Sequence, residues 1–111
     1  MTISSKALVK SKTLENSTTT QYTASNVTAV IESPTVTNVS ASAATVSFWL
    51  VASGDSAADD NLIVDAKSIA AGATVTISAL IGKVIESGDF LAASAGTASA
   101  ITLNISGLEM T

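Results

Sequence analysis

The sequence predicts an all-β fold: a two-sheet antiparallel β-sandwich of immunoglobulin-like or jelly-roll type, with an extended N-terminal arm. Three observations predict it. Apolar residues recur at a period of two or in short runs, and Gly, Ser, Asn and Asp clusters punctuate those runs. The third is the stretch VTNVSASAATVSFWLVASG at residues 36–54, in which Phe48, Trp49, Leu50 and Val51 stand side by side. Alternate side chains of a strand face opposite ways, so an unbroken apolar run requires cover on both faces. One cover is the chain's own core and the other is a neighbouring subunit or the arm.

The 111 residues suit one domain, able to bury roughly two-thirds of its unfolded surface without covalent help. Residues 1–18 are read as the arm, with Lys6, Lys10 and Lys12 in a Ser/Thr-rich setting that could clasp an acidic neighbour or simply fray. The sandwich domain then runs over 19–111. Its strands are expected at roughly 20–24, 27–32, 35–39, 44–52, 61–67, 73–79, 89–95 and 99–108. Pro34 fits an edge, a bulge or a kink. Ser40 to Ala43 and Gly96 to Ala98 read as hairpin links and Ala70-Ala71-Gly72-Ala73 as a tight turn. In ALIGKVIESGD the period breaks, and Leu80, Ile81, Val84 and Ile85 could share one face of a helical turn before Gly88-Asp89 turns the chain into Phe90. The expected core is Val30, Val36, Val46, Phe48, Leu50, Leu62, Val64, Val75, Ile77, Phe90, Ile101, Leu103 and Ile105.

Composition narrows the function. Only 13% of residues are charged, about half the usual share, and Ala, Ser and Thr make up nearly half the chain. A surface so poor in charge suits a protein packed against others, or a compact domain with a Ser/Thr-rich solvent face. Five lysines against nine acids is the wrong balance for gripping phosphates, so nucleic acid is not an expected partner. Nothing approaches a membrane span, and the start, MTISSKALVK, does not read as a secretory signal. Histidine, cysteine and arginine are all absent, which removes His-assisted nucleophiles, the usual zinc sites and bidentate guanidinium clamps. No enzyme and no cofactor are expected. The carboxylates Asp55, Asp59, Asp60 and Asp65 lack the ligand spacing of an EF-hand and read as a solvated loop. The sequons at Asn16, Asn26, Asn38 and Asn104 read as chance in a Ser/Thr-rich chain.

QYTA (21–24), VTNVSASAATVSFWLVASG (36–54), NLIVDAKSIAAGAT (61–74), LIGKVIESGDFLAASAG (80–96) and SAITLNISGLE (99–109), in that order, resemble a group of small tailed-bacteriophage virion proteins. There a strand bearing VTN leads through a Ser/Ala link to an apolar strand, an AG turn, a GD turn and a final SG strand. The likeness covers about the last ninety residues. It is one of turns and strands rather than of a site, and the Ala-Gly turn lacks the Pro often found in that group. The resemblance implies a multi-copy structural protein of the virion, assembled in the bacterial host cytoplasm, that decorates or cements the head through contacts with itself and the major capsid protein. A neck or tail component is the nearest alternative. A carbohydrate-binding or adhesin sandwich is the alternative from another class, though Trp49, Tyr22, Phe48 and Phe90 are its whole aromatic supply. The period of two sets Val46, Phe48 and Leu50 towards the core and Trp49 and Val51 on the opposite face. Trp49, Val51, Lys6, Lys10 and Lys12 are therefore the candidate interface residues.

Overall fold

A computed structural model describes residues 2–111; Met1, the first residue of the expected arm, lies outside them. Among the described residues, nine strands build two antiparallel sheets: β1 (Ile3–Thr13), β2 (Thr19–Thr23), β3 (Thr28–Asn38), β4 (Ala44–Val51), β5 (Leu62–Ile69), β6 (Thr74–Thr76), β7 (Val84–Ile85), β8 (Phe90–Ala95) and β9 (Ile101–Met110). One sheet runs β1-β9-β3-β6, with the short β7 also paired to β3, and the other runs β2-β8-β4-β5. The all-β class and the two antiparallel sheets are as expected.

Between the sheets lies a continuous apolar core. Val36, Val46, Phe48, Val64, Ile77, Ile101, Leu103 and Ile105 are buried there as expected, and Leu50 and Val75 pack against its margin. Val30, Leu62 and Phe90 are corrections. In β3 a bulge between Ile31 and Ser33 inserts an extra residue opposite β9, so the inward positions change parity. Ala29 and Ile31 face the core before it, Pro34 and Val36 are buried after it, and Val30 is turned outwards. The two strands expected at 27–32 and 35–39 are thus one bulged strand. Leu62 pairs with Trp49 and Phe90 with Val51, both on the outer face of the second sheet.

The expected arm is also corrected. Residues 3–13 pair with β9 along almost the whole of its length as an edge strand. Two register shifts, between Ala7 and Val9 and between Val9 and Lys12, bring the adjacent residues Leu8 and Val9 both into the core. Their apolar positions break strict alternation, which is why this segment does not read as a strand. Likewise Leu80 and Ile85 are buried but Ile81 and Val84 are exposed, because a 3-10 turn at Ser78–Leu80 is followed by a turn at Ile81 and Gly82 and then by β7, so no helical face forms.

The links Ser40 to Ala43 and Gly96 to Ala98, expected as hairpins, instead carry the chain from one sheet to the other, as does the turn at Ala70–Ala73. Asn38 holds two of these arches together. Fully buried, its amide donates to the carbonyls of Ser42 and Ile69, each at 2.9 Å, and its side-chain oxygen accepts from the Ser40 N–H and hydroxyl at 2.9 and 2.7 Å. Its backbone meets the other arch, donating to the Ala73 carbonyl and accepting from the Gly72 N–H. A buried amide with every group engaged is costly to remove. Asn38→Ala is expected to cost about 2 kcal/mol, read as a lower urea midpoint with an unchanged slope. An unchanged midpoint would show that the arches hold without it.

Candidate functional site

The outer face of the β2-β8-β4-β5 sheet is set by register. β4 pairs with β8 without interruption from Val46 to Val51, so parity holds along it and Thr45, Ser47, Trp49 and Val51 face outwards. Paired rows cross the strands: Thr23, Phe90 and Val51; Thr20, Ala92, Trp49 and Leu62; Ser94 and Ser47; Thr45 and Ser68. No charged residue stands in these rows. Asp65 lies beside a bulge on the edge strand β5, where Ala66 takes a φ of 48° and its N–H donates to the Ser47 hydroxyl at 2.9 Å.

Trp49 and Phe90 are each partly exposed, while Val51 and Ala92 are fully buried although they stand outside the central core. Register sets the two rings beside them: Phe90 is opposite Val51, Trp49 is opposite Ala92, and Trp49 is also two residues along from Val51. The result is a small apolar platform in a Ser/Thr surround. Val51 belongs to its foundation, and Trp49, with Phe90 and Leu62, to its surface. Phe90 and Leu62 did not stand out in the sequence because each begins a strand, where the register that sends it outwards depends on its partner.

The lysines of β1 lie elsewhere, on the edge of the other sheet. Lys10 is exposed, Lys6 Nζ is 4.0 Å from Glu109, and Lys12 Nζ is 3.8 Å from Glu15. Surface pairs of this kind contribute little to stability, whereas lysines along an edge strand discourage unwanted strand pairing. Lys6 has a larger setting. Glu109 also accepts a hydrogen bond from the Tyr22 hydroxyl at 2.5 Å, so Lys6, Glu109 and Tyr22 join β1, β9 and β2 across one end of the sandwich. Burial, then the hydrogen bond to Glu109 and the charge of that carboxylate, push the Tyr22 phenol well above its ordinary value of 10.0.

A phenol pKa raised in the folded state means that the native protein holds its proton more tightly than the unfolded chain. That stability is fully present below pH 10 and is lost progressively as the pH climbs beyond it. Tyr22→Phe is expected to cost about 1 kcal/mol at neutral pH and to flatten the fall in melting temperature above pH 10. Equal alkaline slopes for the two proteins would refute this role.

The acidic loop is ordered by its own amides. Asn61 accepts from the Ala58 N–H and donates to the Ser56 carbonyl, each at 2.9 Å, around a 3-10 turn at Asp59–Asn61. Among the described residues no three His, Cys, Asp or Glu side chains converge as a metal site. Compared with known proteins, the chain matches no family model, and no curated protein or solved structure is significantly similar to it.

Proposed function

We propose that this chain is a multi-copy structural protein of a tailed-bacteriophage virion, built as a jelly roll, that decorates or cements the head and performs no catalysis. The strand order supports the jelly roll over the immunoglobulin-like alternative. Taking β6 and β7 as one strand position, eight positions divide into two interleaved sheets whose connections nearly all cross between them; only the β4 to β5 link joins neighbours within a sheet. That double-sheet arrangement is the one used by capsid and lectin domains. Metal-binding jelly rolls rely on ligands such as histidine, which this chain lacks altogether.

The observation that carries the reading is the uncharged outer face centred on Trp49. A lone tryptophan set among serines, threonines and alanines is the composition of an interface anchor. A sugar platform of the lectin kind needs several well-exposed rings, and here Trp49 and Phe90 are both half covered. Docking on the major capsid protein through this face accounts for the missing charge as well as for the ring.

Co-sedimentation of the purified chain with capsid shells tests this. Trp49→Ser is expected to leave a cooperatively folded domain and to weaken shell binding by about 2 kcal/mol. Shell binding that is absent in the parent protein, or unchanged in the variant, would overturn the assignment to the head or to this face.

A further inference from the structure

The two long edges of the sandwich are β1, of 11 residues, and β5, of 8; the other edge strands, β2, β6 and β7, have 5 residues or fewer. A long edge offers a row of unpaired N–H and C=O groups to any strand that meets it. Among the described residues, β5 makes backbone hydrogen bonds to β4 alone, so its outer side is open.

Register places a charge on that open side. Val64 and Ile69 are both buried in the core, yet they stand an odd number of residues apart, and strict alternation would send them to opposite faces. An extra residue in β5, between the pairs Phe48–Val64 and Val46–Lys67, reconciles them. Ala66 absorbs it with a φ of 48°, a left-handed backbone that is costly for a residue with a side chain, and its N–H is held by the Ser47 hydroxyl. Beyond the bulge Lys67 stands opposite Val46, and Ile69 opposite Ala44. Val46, Ala44 and Ile69 all belong to the core, so Lys67 springs from the core side of the sheet. It is nevertheless exposed. A lysine set inwards on an edge strand reaches water only by passing out over that edge, through the space that a further strand would occupy.

The other long edge carries the same arrangement. Lys6 and Lys12 stand opposite Gly107 and Leu103 of β9, on the parity of the buried Ile101 and Ile105. Those two lysines have Glu109 and Glu15 beside them, whereas Lys67 takes part in no ion pair among the described residues. Covering the β5 edge would therefore bury an ammonium with no partner, which is among the most costly contacts a protein can make.

We propose that Lys67, turned inwards by the Ala66 bulge, closes the β5 edge to strand addition by a second copy of the chain. Antiparallel pairing of β5 with another β5 about a two-fold axis would trap two such charges, one from each copy. The guard follows from register and holds whether or not the chain belongs to a virion.

Sedimentation velocity and amide hydrogen exchange of the full chain test it. Lys67→Thr removes the charge and keeps a residue that suits a strand; it is expected to self-associate about tenfold or more tightly than the parent, with the open-side amides of β5 newly protected as concentration rises. Lys67→Gln carries the same expectation, so the test survives if threonine disturbs the strand. Lys67→Arg keeps the charge and is expected to sediment as the parent does. All three should melt cooperatively, since Lys67 is exposed and outside the core cluster. Folded Lys67→Thr or Lys67→Gln protein that sediments like the parent, association without new protection in β5, or Lys67→Arg that associates as readily as the uncharged variants would each overturn the proposal.

Discussion

Phe48→Ser is expected to unfold the domain. The ring is fully buried on the core face of β4 and is among the largest fully buried side chains in the chain. Its strand lies inside the β2-β8-β4-β5 sheet, paired on both sides: Phe48 stands opposite Ala93 of β8 and Val64 of β5. The small Ala93 leaves the ring to fill space that no neighbour can occupy in its absence. Truncating a buried phenylalanine costs about 3–5 kcal/mol, and a hydroxyl placed there without a partner adds about 1–3 kcal/mol. Domains of this size are stable by only about 5–15 kcal/mol in total, so the sum consumes most or all of the margin. Circular dichroism with thermal melting checks it, with Trp49→Ser as the companion. The two substitutions fall on adjacent residues with opposite faces, and only the first is expected to abolish the cooperative transition. A Phe48→Ser protein melting within a few degrees of the parent would mean that the core closes without the ring.

That pair of neighbours shows what was readable beforehand and why. β4 meets β8 residue for residue, so the period of two survives along it and the sides of Phe48 and Trp49 follow from counting. Wherever a bulge intervenes the count fails. Val30 shares the parity of Val36, yet the extra residue between Ile31 and Ser33 sends it outwards. β1 carries two such shifts and presents lysines along an open edge, so it resembles an arm until its partner β9 is known. Links between strands posed a different difficulty. Ser, Ala, Gly and Asn suit a hairpin and a crossing between sheets equally well, because both need a tight reversal of backbone. Which of the two forms depends on distant pairing and on the buried Asn38 amide, whose sequon reads as a chance motif.

Gly107→Ala is expected to produce the second large loss, and for a reason that conformational freedom does not supply. Gly107 lies within β9, paired with Lys6 of β1 on one side and Ile31 of β3 on the other, and its φ is not positive. A methyl group built there runs into the backbone carbonyl oxygen of Val30 and comes within 3.0 Å of a Leu8 methyl carbon. The bulge that follows Ile31 opposite this residue bends β3, and a glycine within a strand commonly marks such a close approach of backbone. A side-chain terminus can swing aside, but a carbonyl held in a sheet ladder can move only by displacing its strand. Overpacking against backbone of this kind costs about 3 kcal/mol or more. Gly54→Ala provides the contrast: its φ is +86° and open space surrounds the site, so the substitution incurs only the strain of the left-handed region, about 1 kcal/mol. Urea denaturation of the two variants separates the causes. A Gly107→Ala midpoint well below that of Gly54→Ala supports close packing of β9 on β3, and equal midpoints would show that the sheet yields there without penalty.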